Sequence, residues 1–389
     1  MADHRPIIIS CDGHATGRPQ DYVPYVEPAH RGAYEESVRA HEARLAERAK
    51  AKKDKPSLFA NEGSFGFEKE TGDDLDGEWC SSVRTKVLES EGVVAEVLFP
   101  NGGIPFSGST GSSAHELRGA GHRAYDRWQL DFAGDLPGRR AALALLTVHD
   151  LDATLAEIRW AREQGMKGVI IPTVPGAGLP PYQDRCYDPL WGECQDLEMP
   201  VHIHGGGGTP DYGDYGVVSM LLYATEVTFF AHRNLWVLIW AGVLDRFPRM
   251  KLVLTETRAD WVPGALTFLD GIHSAPFFRH IQDTAKLKPS EYFERQCYIG
   301  APFMGRHESA MRHEIGVDKL MWGTDYPHIE GTWPGTRKAL ARCFKGVPID
   351  EARTILTDTP AKLYGFDIDA LQPIADRVCP TTEELVGAI

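Results

Sequence analysis

Four short groups of residues in this chain carry side chains that can ligate a metal or move protons. They are Asp12 and His14, His202 and His204, Glu256 and Arg258, and Asp325 and His328. Each group directly follows a short apolar run. Residues i and i+2 of a strand share a face, so Asp12 and His14 can point at one centre. One carboxylate and one imidazole make a fair ligand pair for a borderline divalent ion. Alone, Asp12-Gly13-His14 also reads as a plain turn.

His202 and His204 share a face in the same way, and four glycines follow at 205–208. Histidines closing an apolar strand are costly to bury unless each finds a partner. Hydrogen-bonded core histidines are therefore the alternative to ligands. The glycines allow close backbone approach to a ligand, but they lack the Lys-Ser/Thr ending of a phosphate loop. Glu256 and Arg258 emerge where the run Leu252–Thr255 should end, and a simple ion pair between them is the competing reading. Asp325 could cap a helix, yet the loop-like residues from Tyr326 to Pro334 weaken that reading.

The elements that must position these groups are eight β-rich runs. They are Pro6–Cys11, Val94–Phe99, Ala141–Leu146, Gly168–Ile171, Pro200–Ile203, Leu252–Thr255, Cys297–Ile299 and Leu320–Trp322. Several are nearly continuous in apolar residues, as strands buried on both faces must be. Helical patterns lie between many of them. The clearest is Leu151–Gln164, where Leu151, Leu155, Ile158 and Ala161 recur at helical spacing before Gly165. This alternation predicts a parallel α/β sheet, and eight units favour closure into a barrel. The polar groups follow the first, fifth, sixth and eighth runs, so all should converge at the C-terminal mouth of that barrel.

At 389 residues the chain exceeds the ~250 of a plain eight-fold barrel. It is read as one domain, 1–389, with an insertion at about 30–80. Within that insertion, Tyr34–Lys53 is a strong local helix former and Asn61–Asp76 is Gly- and acid-rich, as a loop. Apolar residues make up 42% and charged residues 25%, as in an ordinary soluble globular protein. The net charge is −14, with no basic stripe, which argues against a nucleic-acid partner. The seven cysteines are irregularly spaced without Cys-x-x-Cys, so a disulfide framework or zinc knuckle is not expected. No signal-like apolar stretch opens the chain, and no run reaches the length of a membrane span. A cytoplasmic protein is expected.

Five segments carry a family resemblance. They are Ser10-Cys-Asp-Gly-His14, Leu197–His204, Trp240–Pro248, Trp322–His328 and Asp358–Gly365. Together they resemble the amidohydrolase-related proteins, in particular the branch containing aminocarboxymuconate semialdehyde decarboxylase and the resorcylate-type decarboxylases. The similarity runs from about Ile7 to about Tyr364. It implies a distorted (β/α)8 TIM barrel holding one divalent metal, most often zinc and sometimes manganese. By position it implies the ligands Asp12, His14, His204 and Asp325, with His204 taken over His202. The chain departs from part of the family in two places. Its first pair is Asp-x-His, not His-x-His, and Glu256 stands where the sixth strand often has His.

The expected activity is therefore hydrolysis of a small carboxylated or cyclic molecule by metal-activated water. Asp325 is the leading general base and Glu256 the second proton-transfer group. Arg258, His328 and His202 are the substrate-binding candidates. The alternative is non-oxidative decarboxylation at the same centre, and a third reading is a barrel that binds without catalysis. Members of this branch often pair, so a homodimer is expected, with Glu35–Lys53 as a candidate arm.

Overall fold

The computed structural model describes residues 4–51, 72–109, 114–328 and 330–387. The apolar runs form nine strands among these residues. They are β1 (Ile9–His14), β2 (Ala95–Phe99), β3 (Arg140–Ala142), β4 (Ala144–Leu145), β5 (Val169–Ile170), β6 (Val201–His204), β7 (Leu252–Thr255), β8 (Cys297–Pro302) and β9 (Leu320–Gly323). Every pairing is parallel, and the strands follow one another in chain order, β1 to β3 and then β4 to β9.

The third expected run is split at Leu143, and a side chain causes the split. Gln129, on the helix Ala114–Gly134, accepts the Leu143 N–H through Oε1 at 2.8 Å and donates from Nε2 to the Leu98 carbonyl at 3.5 Å. It thus takes the place of the next rung beyond the β2–β3 ladder, which ends at Leu98 and Ala142. Asp126 on the same helix accepts the Leu145 N–H at 2.9 Å. The ring closes between β9 and β1, where Asp325 N–H donates to the Asp12 carbonyl at 3.0 Å and His14 N–H to the Tyr326 carbonyl at 2.7 Å. The eight expected runs therefore build a (β/α)8 barrel with one strand in two pieces.

Strand ends moved more than strand existence did. β1 begins three residues later than expected and runs through His14, so Asp12 and His14 lie inside the strand. β6 likewise includes His204. Inward-facing Cys11, Val97, Phe99, Leu143, Ile170, Val253 and Met321 form one small buried cluster with Tyr364. A larger cluster fills the layer between strands and helices. Leu151–Glu163 is a helix as expected, with Asp150 accepting the Ala153 N–H at its start and Gly165 at φ +85° after its end.

The insertion contains the helix Pro28–Ala51, so the expected Tyr34–Lys53 helix is present up to the last described residue. Its first half is anchored. Tyr34 and Val38 are buried, and the Tyr34 ring packs edge-on against Phe106 in the segment after β2, at 5.3 Å. Of the loop expected at Asn61–Asp76, residues 61–71 lie outside the described residues, and Gly72–Glu78 forms a 3-10 helix. All seven cysteines are free. No described helix is long and apolar enough to cross a membrane.

Candidate metal centre

Backbone devices at three strand ends turn the polar groups inward. The β1–β2 register shifts between Ser10 and Gly13. The Ser10 hydroxyl ties that region to β9, donating to the Asp12 carbonyl at 2.6 Å and accepting the Thr324 N–H at 2.8 Å. Past β7, Glu256 and Arg258 have φ of +53° and +55°, and past β9, Asp325 has +59°. Such conformations cost about 1–3 kcal/mol at a non-glycine residue and concentrate at functional sites.

The side chains meet in one place. His14 Nε2 lies 3.0 Å from Asp325 Oδ1 and 3.5 Å from Asp12 Oδ1. His204 Nε2 lies 3.4 Å from the same Asp12 oxygen. His204 Nδ1 is 3.0 Å from Glu256 Oε2, and His328 Nδ1 is 3.0 Å from Asp325 Oδ1. The His14 and His328 rings stack with centroids 3.9 Å apart, and Phe99 packs against His204 at 4.7 Å.

The orientation of the imidazoles is informative. His14 Nδ1 is 2.9 Å from the Pro100 carbonyl, and His204 Nδ1 is 3.0 Å from the Gly205 carbonyl. A carbonyl can only accept, so each Nδ1 carries the donated proton and each Nε2 turns towards the carboxylates. This is the arrangement of a metal-binding histidine whose second nitrogen is fixed by an outer partner. Asp12 Oδ2, His14 Nε2 and both oxygens of Asp325 are buried without a hydrogen-bond partner. Native proteins rarely leave such atoms unpaired, and four converging ones fit a cation. Ligating atoms of Asp12, His14 and His204 lie within 4.8 Å of one another, as do those of His14, Asp325 and His328.

Burial opposes charge throughout the cluster, and the neighbours decide the outcome. Burial pushes Glu256 up to about 8, against the pull of His204. Burial also disfavours the charged form of His204, but Glu256 and Asp12 outweigh it and push the ring up to about 10. His328 rises to about 9 against burial because Asp325 faces it. His14 is lowered, first by burial and then by His328. Asp325 is held well below the usual carboxylate range, the imidazoles of His14 and His328 overcoming its burial.

Two expected substrate contacts are not brought to this cluster. His202 faces the barrel interior, fully buried, with Nδ1 donating to the Val169 carbonyl at 3.0 Å and the Tyr364 hydroxyl donating to Nε2 at 2.9 Å. Both nitrogens are taken, so it is a satisfied core histidine. Arg258 is held away by Asp260 and by His307 Nε2, 2.9 Å from its guanidinium, and it makes no ion pair with Glu256 among the described residues.

Three residues escaped the sequence reading. Asn101 Oδ1 is 3.4 Å from His328 Nε2, and Asn101 Nδ2 donates to Glu78 at 2.7 Å. Arg84 is buried, donates to the His14 carbonyl at 2.6 Å and forms a two-pronged pair with Glu96 at 2.7 and 2.8 Å. Asn101-Gly-Gly103 follows the second apolar run, so the strand-end rule could have found Asn101. Nothing local marks Glu78 or Arg84.

A family model described as Amidohydrolase matches residues 107–366. A gamma-resorcylate decarboxylase of Rhizobium sp. is 27% identical over 205 residues, covering 49% of this chain and 61% of that protein. The chain thus aligns with about three fifths of the length of that relative. The crystal structure of 5-carboxyvanillate decarboxylase from Sphingomonas paucimobilis superimposes with a TM-score of 0.66 at 20% identity, covering 93% of this chain and 100% of that one. A dihydroxybenzoic acid decarboxylase from Polaromonas sp., with bound manganese and the inhibitor 2-nitroresorcinol, gives 0.61 at 16% identity, covering 92% and 97%. At these identities the superpositions establish the fold. The expectation of hydrolysis is overturned, because these named relatives are decarboxylases; the same ligand types serve both reactions, so the residues could not separate them. The family model spans more than half of the sequence, and the chain belongs to the amidohydrolase family.

Proposed function

We propose that this chain is a metal-dependent, non-oxidative decarboxylase of a small hydroxylated aromatic acid. The observation that carries the reading is the pair of imidazoles, His14 and His204, whose Nε2 atoms face Asp12 and Asp325 while their Nδ1 protons are held by carbonyls. Asp12, His14, His204 and Asp325 would hold one divalent ion. Two carboxylates and two imidazoles accept manganese or zinc, and the manganese of the Polaromonas enzyme favours manganese. When bound, the ion would supply a Lewis acid that polarises a substrate oxygen.

The protein groups do the rest. Glu256, 3.0 Å from His204 Nδ1, fixes the orientation of that ring. His328, which holds the proton, passes it to the Asp325 carboxylate across their 3.0 Å contact, and Asp325 delivers it to the ring carbon as the bond to the carboxyl carbon breaks, so that carbon dioxide leaves and a C–H bond replaces C–C. Asp325 is left as the carboxylate, His328 regains its proton from solvent, and Asn101 holds the far side of His328. Phe99 provides an apolar wall beside His204.

The test is release of labelled carbon dioxide from carboxyl-labelled hydroxybenzoates by the manganese-loaded protein, followed by mass spectrometry. Asp325→Asn should stop release. No release across an ortho- and para-hydroxybenzoate panel, from protein shown to contain metal, would overturn the proposal.

A further inference from the structure

We propose that the barrel end opposite the metal centre carries a binding site for a small multivalent anion. A cavity of about 810 Å³ lies there, within the size range of small-molecule sites. Its place follows from topology. Lys167 precedes β5, Pro200 precedes β6, Lys251 precedes β7 and Asp318 precedes β9, and all four line it. These are the N-terminal ends of the strands that deliver His204, Glu256 and Asp325 to the other face. Tyr364 also lines the cavity, and its hydroxyl is bonded to His202, which separates the cavity from the barrel interior.

The lining is cationic in a chain whose net charge is −14. Arg162, Lys167, Arg249, Lys251, Arg295 and Lys362 contribute positive charge, against Glu198, Asp318 and Asp358. Of the six, Arg249 is paired with Asp196, and Arg295 donates to the Leu244 carbonyl. Asp318 is engaged by Lys319, at 2.8 Å. The side chains of Arg162, Lys167, Lys251 and Lys362 have no ion-pair or hydrogen-bond partner among the described residues. Lys251 is lowered by burial and then by the charges of Lys319 and Lys362, so like charges crowd each other around the cavity. Crowded, unpaired ammonium groups on a concave wall focus a positive potential, and an anion with two or more charges relieves it. Phosphate groups and dicarboxylates share that chemistry.

Equilibrium dialysis of the full chain against inorganic phosphate, and in a second arm succinate, tests this at constant ionic strength set by chloride. Saturable binding of at least one probe is expected, and the tighter probe identifies the ligand chemistry. Lys167→Gln/Lys251→Gln/Lys362→Gln should weaken binding about tenfold or more. Glu198→Gln/Asp358→Asn should tighten it about threefold, a change of opposite sign that loss of folding cannot mimic. Asp12→Asn should leave it unchanged. The proposal fails if neither probe saturates, if the triple variant binds as tightly as the parent, or if Asp12→Asn abolishes binding, which would return the anion to the metal centre.

Discussion

The two ends of this barrel are built from the same parallel strands and carry opposite charge. At the C-terminal end, Asp12, Asp325 and Glu256 are packed among imidazoles, with buried oxygens left unpaired. At the N-terminal end, Arg162, Lys167, Lys251 and Lys362 line a cavity, and none of the four forms an ion pair among the described residues, although Glu198, Asp318 and Asp358 share the lining. Between the ends, Glu96 shows what a matched charge looks like, gripped by Arg84 at 2.7 Å and Arg140 at 3.3 Å. Buried charge persists only when paired or ligated. Where the chain supplies the pair itself, as for Glu96, the charge is structural; the buried oxygens at the mouth have no such pair, and the basic groups at the opposite end are half-buried or exposed. The proposed partner at the mouth is a cation and at the opposite end an anion.

The largest effect should appear at the mouth. Asp325→Asn should lower carbon dioxide release by on the order of 10⁴-fold. His204→Ala should lose the metal by elemental analysis, while His202→Ala, two residues earlier on β6, should keep it. Metal loss in His202→Ala alone would break the assignment of the two faces.

The matched charge should be worth nearly as much, but in stability. Arg84→Met leaves Glu96 short of its principal partner and should cost about 3–5 kcal/mol in urea unfolding. The acid response sharpens the point. Burial raises Glu96, yet Arg84 and Arg140 outweigh it, and the net shift is downward. A carboxylate with a depressed folded pKa stabilises above its unfolded value, near 4.5, and loses that contribution as pH falls through the folded value. Glu96→Gln should therefore show a shallower stability loss below pH 4.5 than the parent. An equal slope would mean that the pair is not what acid breaks.

The smallest effect belongs to Tyr364→Phe, which leaves His202 Nε2 without its donor. It should cost about 1–3 kcal/mol with metal content unchanged. A loss of metal in this variant would show that the two ends are coupled.

Much of the architecture was legible because it depends on pattern. Apolar runs at intervals marked the strands of the barrel, polar groups just beyond four of them marked its mouth, and the i, i+2 rule paired Asp12 with His14. What the pattern did not contain depended on side-chain partners. The third strand divides because Gln129, on a helix, takes its hydrogen bonds. His202 and Arg258 were expected at the site beside His204 and Glu256, and the structure engages their side chains elsewhere, with Tyr364 and Asp260.

By itself the sequence determined the residue types at the strand ends and the alternation that brings those ends together, since both are properties of local spacing. Only the tertiary structure decided which nitrogen of each histidine is free, which charges are matched, and that a cationic cavity faces away from the centre. Hydrogen bonds to Pro100 and Gly205 and the pairing of Glu96 with Arg84 and Arg140 join distant segments or depend on the angle of a side chain. Spacing along the chain contains neither, because a partner 86 residues away, as Pro100 is from His14, is chosen by packing.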